Sequence, residues 1–253
     1  MATIISVHSF RGGTGKSNTT ANVAAVMASQ GKRVGVIDGD IQSPGIHTLF
    51  GLSGDDVTTT LNDFLWHGKA IRDVAIDVTD RQQAELSGRI YLIASSMQPG
   101  EITRVLREGY DARLLTEGIR TLVDDLALDV LVLDTHPGLN EETLLSLVIS
   151  DALLIIMRPD KQDYEGTGIT ARVAKELQVP HIQLLVNKAP ESLDHAQLAR
   201  QAEAAYGCPV VAVLPHSDDL MLLASEGIFV LRHPDHPVSD IYRKVANSLI
   251  QAA

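Results

Sequence analysis

The sequence predicts an α/β protein whose single, doubly wound sheet is mostly parallel and carries helices on both faces. Three observations support this fold class. Short apolar runs alternate with helix-type patterns along the whole chain, which is the order that βαβ units produce. The runs are rich in Val, Ile and Leu, as expected for parallel strands buried on both faces. A glycine-rich segment joins the first apolar run to the first helical pattern.

The individual elements follow from this alternation. The strands are predicted at Thr3–His8, Arg33–Asp38, Ile90–Ala94, Val130–Asp134, Ala152–Met157, His181–Val186 and Val210–Leu214. The helices are predicted at Lys16–Gln30, Thr59–His67, Ala112–Asp125, Glu141–Val148, Gly166–Glu176, Ala196–Tyr206 and Val238–Gln251. The most polar stretch, Asp77–Arg89, is expected to form an exposed connection or a small hairpin.

Length and composition favour one domain over residues 1–253, because no Pro/Gly-rich linker and no internal repeat divides the chain. The 32 acidic residues outnumber the 21 basic ones, and the net charge of −11 argues against an overall attraction to nucleic acid or anionic lipid. The only cysteine is Cys208, so no disulfide forms within one chain. The chain runs directly into its first strand without the basic region of a signal peptide. A cytoplasmic location is therefore expected.

Residues 10–17, with the sequence FRGGTGKS, lie between the first strand and an Ala-rich helix. This is the strand–loop–helix context of a phosphate-binding loop, in which glycines let backbone N–H groups turn toward phosphate oxygens. The helix N-terminus adds partial positive charge, and Lys16 is placed to reach the β- and γ-phosphates. Phe10 stands where the standard pattern has its first glycine. The residues predicted to contact the nucleotide here are Gly12, Gly13, Thr14, Gly15, Lys16, Ser17 and Asn18.

Three aspartates follow apolar runs and are expected at the carboxyl ends of strands, where ligands bind in open α/β sheets. They are Asp38, Asp40 and Asp134. An unpaired buried carboxylate is costly, and Mg²⁺ is its natural partner. The predicted magnesium residues are therefore Ser17, Asp38 and Asp134, with Asp38 acting on the metal or the loop from a greater distance.

Further segments match those of a known family. They are Asn22 within the first helix, the strand Gly31–Asp40 ending in D-x-D, the segment Val132–Gly138, and Leu185–Lys188. With the loop at residues 10–17, these segments resemble the ParA/MinD family of deviant Walker-A ATPases. The landmarks occur in order from residue 3 to about residue 215, so the resemblance covers most of the chain.

The resemblance implies an ATPase that binds ATP and Mg²⁺ and forms an ATP-dependent homodimer, with slow turnover that a partner protein stimulates. It also implies that Asp40 orients the attacking water and that Lys16 neutralises phosphate charge. At the position of Arg11 the family has a lysine, and this lysine reaches the phosphates of the partner subunit. We hypothesise that Arg11 does so in the manner of an arginine finger. Lys161 is a second candidate for that role.

The base is expected to be adenine. Asn187 offers a donor and an acceptor to an adenine edge, and Pro215 is expected to form the other wall of the base pocket. A guanine-specific N-K-x-D motif would need aspartate at position 190, and this chain has Pro190 there.

Several alternatives remain open at the level of sequence. Iron–sulfur scaffold ATPases of this fold need a C-x-x-C pair, which a chain with only Cys208 does not supply. The last helix carries one apolar stripe and only Arg243 and Lys244 as basic residues, so packing on the core is favoured over membrane binding. Nonspecific DNA binding is possible through scattered lysines and arginines, which fit solvated helix faces equally well. The resemblance also implies a role in positioning or partitioning a cargo, which would be DNA, division machinery or a large protein assembly. A metabolic or metal-delivery ATPase and a nucleotide-gated scaffold with little turnover are the alternatives to this role.

Overall fold

Eight strands form one sheet in the computed structural model, which describes residues 2–82 and 84–252. They are β1 (Thr3–His8), β2 (Arg33–Gly39), β3 (Ile76–Asp77), β4 (Arg89–Ile93), β5 (Val130–Thr135), β6 (Ala152–Met157), β7 (His181–Ala189) and β8 (Val210–Pro215). Their order across the sheet is β3-β4-β2-β5-β1-β6-β7-β8, and all neighbours are parallel except β3 and β4. The predicted fold class is confirmed.

The helices cover both faces of this sheet. They are α1 (Lys16–Ser29), α2 (Leu61–His67), α3 (Pro99–Glu108), α4 (Ala112–Asp125), α5 (Glu141–Val148), α6 (Lys161–Glu176), α7 (His195–Tyr206), α8 (Asp218–Leu222), α9 (Phe229–Arg232) and α10 (Pro237–Ala252). Short 3₁₀ turns lie at Ile46–Phe50, Gly54–Asp56, Ile71–Val74 and Thr79–Arg81.

Helix α1 is buried on nearly all sides, which explains why its sequence is small and apolar rather than amphipathic. One side packs on the sheet and the other lies under α10, whose Tyr242, Val245 and Leu249 are fully buried. Asn22 is buried within α1, where its Nδ2 donates to the Asn18 carbonyl and its Oδ1 accepts from the backbone N–H of Val230. The apolar stripe of the last helix therefore packs against the core.

Several element assignments from the sequence need correction. Helix α6 begins at Lys161 and not at Gly166, because Asp160 caps it by accepting from the backbone N–H of Asp163. Helices α3, α8 and α9 were not predicted; α3 is short and mostly polar, with Val105 as its only buried residue, and α8 and α9 have five and four residues. Strand β7 continues past Val186 to Ala189.

The polar stretch Asp77–Arg89 does connect two strands of a hairpin. Strand β3 pairs antiparallel with β4, and Asp77 lies opposite Tyr91. Gln83, within this stretch, lies outside the described residues.

The order of the strands fixes where a ligand can bind. Strand β1 is central, with β5 on one side and β6 on the other, so connections from β1 and β6 leave in opposite directions. A crevice forms at such a reversal, outside the carboxyl ends of the strands. The same register places Asp38 of β2 directly opposite Asp134 of β5 at that edge.

Candidate nucleotide site

The loop between β1 and α1 has the backbone geometry of an anion cradle. Gly13 and Gly15 have φ angles of 76° and 93°, in the left-handed region that favours glycine. Gly15 precedes the first turn of α1 and no side chain caps that helix, so its first N–H groups remain available to a ligand. The loop, together with Asp40 and Pro137, encloses a cavity of about 200 Å³. Gly12, Gly13, Thr14, Gly15, Lys16, Ser17 and Asn18 all line it.

The end of β7 holds this loop in place from outside. Asn187 donates through Nδ2 to the carbonyl of Thr14 at 2.7 Å, and Lys188 donates through Nζ to the carbonyl of Gly13 at 2.9 Å. In a trans peptide the N–H points opposite to the carbonyl. Because these carbonyls point toward β7, the N–H groups of the following residues point away from it. A Cβ on Gly15 would overlap the side-chain amide of Asn187, which gives a second reason for glycine there.

Lys16 is buried at the centre of the site and pairs with an aspartate. Its Nζ lies 3.0 Å from Asp134 Oδ1 and 3.9 Å from Asp40 Oδ2. Thr20 Oγ1 also donates to Asp134 Oδ1, at 3.2 Å. Asp134 Oδ2 is buried and has no hydrogen-bond partner among the described residues. A buried carboxylate oxygen left over in this way suits a hard cation such as Mg²⁺, with the Ser17 hydroxyl as a second oxygen ligand.

Asp38 supports the segment that follows it. Its Oδ1 accepts from the N–H of Asp40 and its Oδ2 from the N–H of Gly45, both at 3.2 Å. Burial, reinforced by the negative charge of Asp134, raises the pKa of Asp38 to about 8. Burial also raises the pKa of Asp40, although Lys16 opposes this shift. A cation beside these groups would favour their ionised forms, so the cluster fits magnesium. The assignment of Asp38 as a magnesium residue stays a prediction.

A buried histidine that sequence reasoning missed lies beside this cluster. His8 is fully buried, and its Nδ1 lies 2.7 Å from Thr135 Oγ1. Because Thr135 donates its own hydroxyl to the Val7 carbonyl, it accepts from His8, whose proton is therefore on Nδ1. Burial lowers the pKa of His8 to about 3, with the charges of Lys16 and His136 adding to the effect.

His136 lies close to the aspartate that is predicted to orient water. Its Nε2 is 3.8 Å from Asp40 Oδ1, while its Nδ1 is 2.6 Å from the Pro137 carbonyl. His136 therefore donates through Nδ1 to the Pro137 carbonyl, and its other ring nitrogen, Nε2, faces Asp40.

Arg11 is held by acidic side chains of its own chain. Its Nη1 lies 3.3 Å from Asp163 Oδ1 and 3.5 Å from Asp160 Oδ1, at the first turn of α6. Asp163 is buried and also accepts from the backbone N–H and Nε of Arg158. The Arg11 side chain is 38% exposed, so it stays accessible. Its role across a dimer interface stays a prediction and requires these contacts to be released. Lys161, the second candidate, is exposed at the start of α6.

The structure explains why phenylalanine stands at position 10. The Phe10 ring lies against α6, and a Cβ on Gly166 would overlap it. Gly166 of α6 therefore leaves the space that the Phe10 ring occupies.

A larger cavity, of about 710 Å³, lies at the ends of β7 and β8, and its lining includes Lys188, Pro215 and His216. Pro215 is thus part of a cavity wall, and its contact with a base stays a prediction. Asn187 does not line this cavity. Both ends of its side chain make contacts within the chain, since its Oδ1 accepts from the N–H of Lys188. The predicted adenine contact of Asn187 stays a prediction.

Among the described helices, none is long and apolar enough to cross a membrane.

Comparison with known proteins shows the family and the fold of this chain. The sequence model of a family described as an AAA domain matches residues 2–184. An uncharacterized ATP-binding protein of Methanocaldococcus jannaschii is 29% identical over 100% of this chain and 89% of its own length. An iron–sulfur cluster carrier protein of Aquifex aeolicus is 25% identical over 98% of this chain and 67% of its own length. The septum site-determining protein MinD of Pyrococcus horikoshii, solved with Mg-ADP, superposes with a TM-score of 0.80 at 22% identity, covering 98% and 96% of the two chains.

Proposed function

The chain belongs to the AAA-domain family as a P-loop ATPase of the ParA/MinD type, and on this premise we propose that it is a Mg-ATP-dependent dimerising ATPase that positions or partitions a cargo inside the cell. The cargo would be DNA, division machinery or a large protein assembly. The observation that carries the proposal is the buried Lys16–Asp134 pair directly beneath the glycine-rich loop. We also propose that residues 1–253 work as one ATPase domain.

The chain's own residues would bind ATP at its phosphates, its metal ion and its base. The loop N–H groups donate to phosphate oxygens, and Lys16 exchanges its pairing with Asp134 for the β- and γ-phosphates. Ser17 and Asp134 would hold Mg²⁺, which supplies neutralisation of phosphate charge. The cavity beside Pro215 takes the base. The MinD protein solved with Mg-ADP supports the nucleotide and the metal by analogy of fold.

Hydrolysis needs a positioned water and further positive charge. Asp40 is 14% exposed and lines the phosphate cavity, so it can accept a hydrogen bond from a water at the γ-phosphate. Arg11 would leave Asp160 and Asp163 to reach the phosphates of a second copy, where a guanidinium binds two oxygens at once. Turnover would be slow until a partner protein favours that arrangement.

The test is ATP turnover and oligomeric state, measured with and without nonspecific DNA, for the parent chain and two variants. Arg11→Ala should abolish ATP-dependent dimerisation and lower turnover about 100-fold or more. Arg120→Ala is the matched control, because Arg120 is an exposed arginine of α4. Unchanged dimerisation and turnover in Arg11→Ala would contradict the role in trans and direct attention to Lys161.

A metabolic or metal-delivery ATPase of the same fold is the alternative, and the similarity to iron–sulfur cluster carrier proteins favours it. Against it, the sequence has one cysteine, and Cys208 is buried with its pKa raised by that burial. Thiolate ligands for a cluster would have to come from elsewhere. Recovery of the γ-phosphate on a small substrate, or of a cluster bound to the purified chain, would replace cargo positioning with this alternative.

A further inference from the structure

A third cavity lies apart from the two already described, as a cleft between α2 and the segment that links β4 to α3. Its volume is about 270 Å³, and its walls include Thr60, Asn62, Ser96, Gln98 and Glu101. The cleft is at the same edge of the sheet as the candidate nucleotide site.

The segment linking β4 to α3 is also joined to strand β2. Ser95 donates its hydroxyl to the carbonyl of Asp38 at 2.7 Å, and Leu61 of α2 donates its N–H to the Ala94 carbonyl at 2.8 Å. These two hydrogen bonds tie the segment after β4 to β2 and to the start of α2.

Asn62 presents an unused donor in this cleft. Its side chain is 1% exposed, and its Oδ1 accepts from the backbone N–H of Ser96 at 2.9 Å. That bond fixes the orientation of the amide, since the reversed one would set the NH₂ group against another N–H. The Nδ2 is buried and has no partner within residues 2–82 and 84–252. A buried donor without an acceptor is costly, so a group that accepts from it would bind favourably.

Glu101 presents the complementary unused acceptor. Its Oε1 lies 3.2 Å from His67 Nε2, which leaves Oε2 buried and without a partner among the residues that the structure describes. The other carboxylate on the wall is already committed. Asp63 accepts from the N–H and hydroxyl of Thr60 and pairs with Lys69. The wall of the cleft thus holds a buried donor and a buried acceptor, each without a partner among the described residues.

We propose that this cleft binds an amide group, whose carbonyl accepts from Asn62 Nδ2 and whose N–H donates to Glu101 Oε2. A primary carboxamide carries its carbonyl and one N–H on the same side, whereas a trans peptide bond points these two groups in opposite directions. The volume is far larger than one bridging water needs, so the site has room for the remainder of a ligand. The amide is therefore a free carboxamide. This inference does not depend on the proposed ATPase cycle.

The single tryptophan, Trp66, provides the readout. It lies on α2 beside His67, and the guanidinium of Arg104 on α3 lies 5.5 Å from its ring centre. A ¹⁵N-labelled chain therefore gives one indole N–H signal that reports on the contact between α2 and α3. The probes are N-acetylglycinamide, N-acetylglycine N-methylamide and, as the control without an N–H at its terminus, N-acetylglycine methyl ester.

N-acetylglycinamide should shift the Trp66 signal in a saturable manner, more tightly than the ester. The N-methylamide should also bind more weakly than the primary amide, because its trans amide cannot direct a carbonyl and an N–H to the same side. Asn62→Asp keeps the acceptor for Ser96 and removes the donor, so it should weaken binding about tenfold or more. Glu101→Gln should do the same, because it places a donor where the ligand needs an acceptor.

Two further variants separate loss of the site from loss of the fold. Glu108→Gln makes the same change of charge on α3 outside the cleft and should bind like the parent. The double variant Asn62→Asp with Glu101→Gln exchanges donor and acceptor, so it should bind the primary amide in the reverse orientation more tightly than either single variant. Shifts that do not saturate, an ester or N-methylamide that binds as tightly as the primary amide, or full binding by Asn62→Asp would overturn the proposal.

Discussion

His8 should make the stability of the protein depend on pH below neutrality. The ring is fully buried at the end of β1, its Nε2 has no partner among the described residues, and its pKa falls from 6.5 to about 3. Between these two values the unfolded chain binds a proton that the folded chain does not. Stability therefore rises with pH through this window, and it is lost as pH falls below 6.5.

The magnitude follows from the size of that pKa difference. Each pH unit between about 3 and 6.5 costs about 1.4 kcal/mol, so the parent should lose about 2 kcal/mol between pH 7.5 and pH 5 through His8 alone. His8→Asn keeps a donor near the position of Nδ1, where Thr135 accepts, but cannot titrate. Its stability should lack this component of the pH dependence.

The assay is urea unfolding of both chains at pH 7.5 and pH 5. Nucleotide and magnesium are left out, so that no bound phosphate neutralises the charge of Lys16 near His8. The cost of His8→Asn should be about 2 kcal/mol smaller at pH 5 than at pH 7.5. His181→Asn, at an exposed position of β7, is the matched control. Equal costs of His8→Asn at the two pH values would refute the reasoning, because they would mean that the buried ring takes up a proton as readily as the unfolded chain does.

Three other substitutions test the geometry of the loop. Lys16→Met removes the partner of the buried Asp134, so it should lower the free energy of unfolding, measured in urea, by about 3 kcal/mol. It should also abolish ATP binding measured by calorimetry. Unchanged stability would mean that the Lys16–Asp134 pair is not formed. Gly15→Ala forces a side chain to a φ of 93° and against Asn187, and it should cost about 2 kcal/mol, only part of which Asn187→Ala restores. Gly166→Ala should lower the thermal midpoint because the new Cβ overlaps the Phe10 ring, at a cost in stability of about 1–3 kcal/mol. Adding Phe10→Ala to the same chain should recover part of the lost stability. If the stability costs of the two substitutions simply add in the double variant, the two residues do not touch.

The sequence could predict what local pattern encodes. Alternating Val/Ile/Leu runs and helical patterns predicted the sheet, because burial on both faces requires continuous apolar strands. The apolar stripe of α10 predicted packing on the core, and Val245 and Leu249 are indeed buried there. Local pattern was weakest where an element depends on a cap rather than on periodicity. Helix α6 therefore begins at Lys161, five residues before the predicted start.

The sequence could not predict which side chains meet across the sheet, since such contacts depend on strand order and register. Nothing near Arg11 in the chain indicates that Asp163 will hold it, and nothing near Phe10 indicates Gly166. His8 gave one possible signal, a titratable residue at the end of an apolar strand, but its burial depends on neighbouring elements.

The sequence by itself determined the class of this protein, because a phosphate loop needs its glycines, Lys16 and Ser17 consecutively along one strand–loop–helix unit. Only the tertiary structure decided how that loop is held. Asn187 and Lys188 lie more than 170 residues from the carbonyls that they bind, and Asp134 lies 118 residues from Lys16. These distances along the chain become hydrogen bonds because parallel strands bring their carboxyl ends to one edge of the sheet, and the order of the strands decides which ends become neighbours.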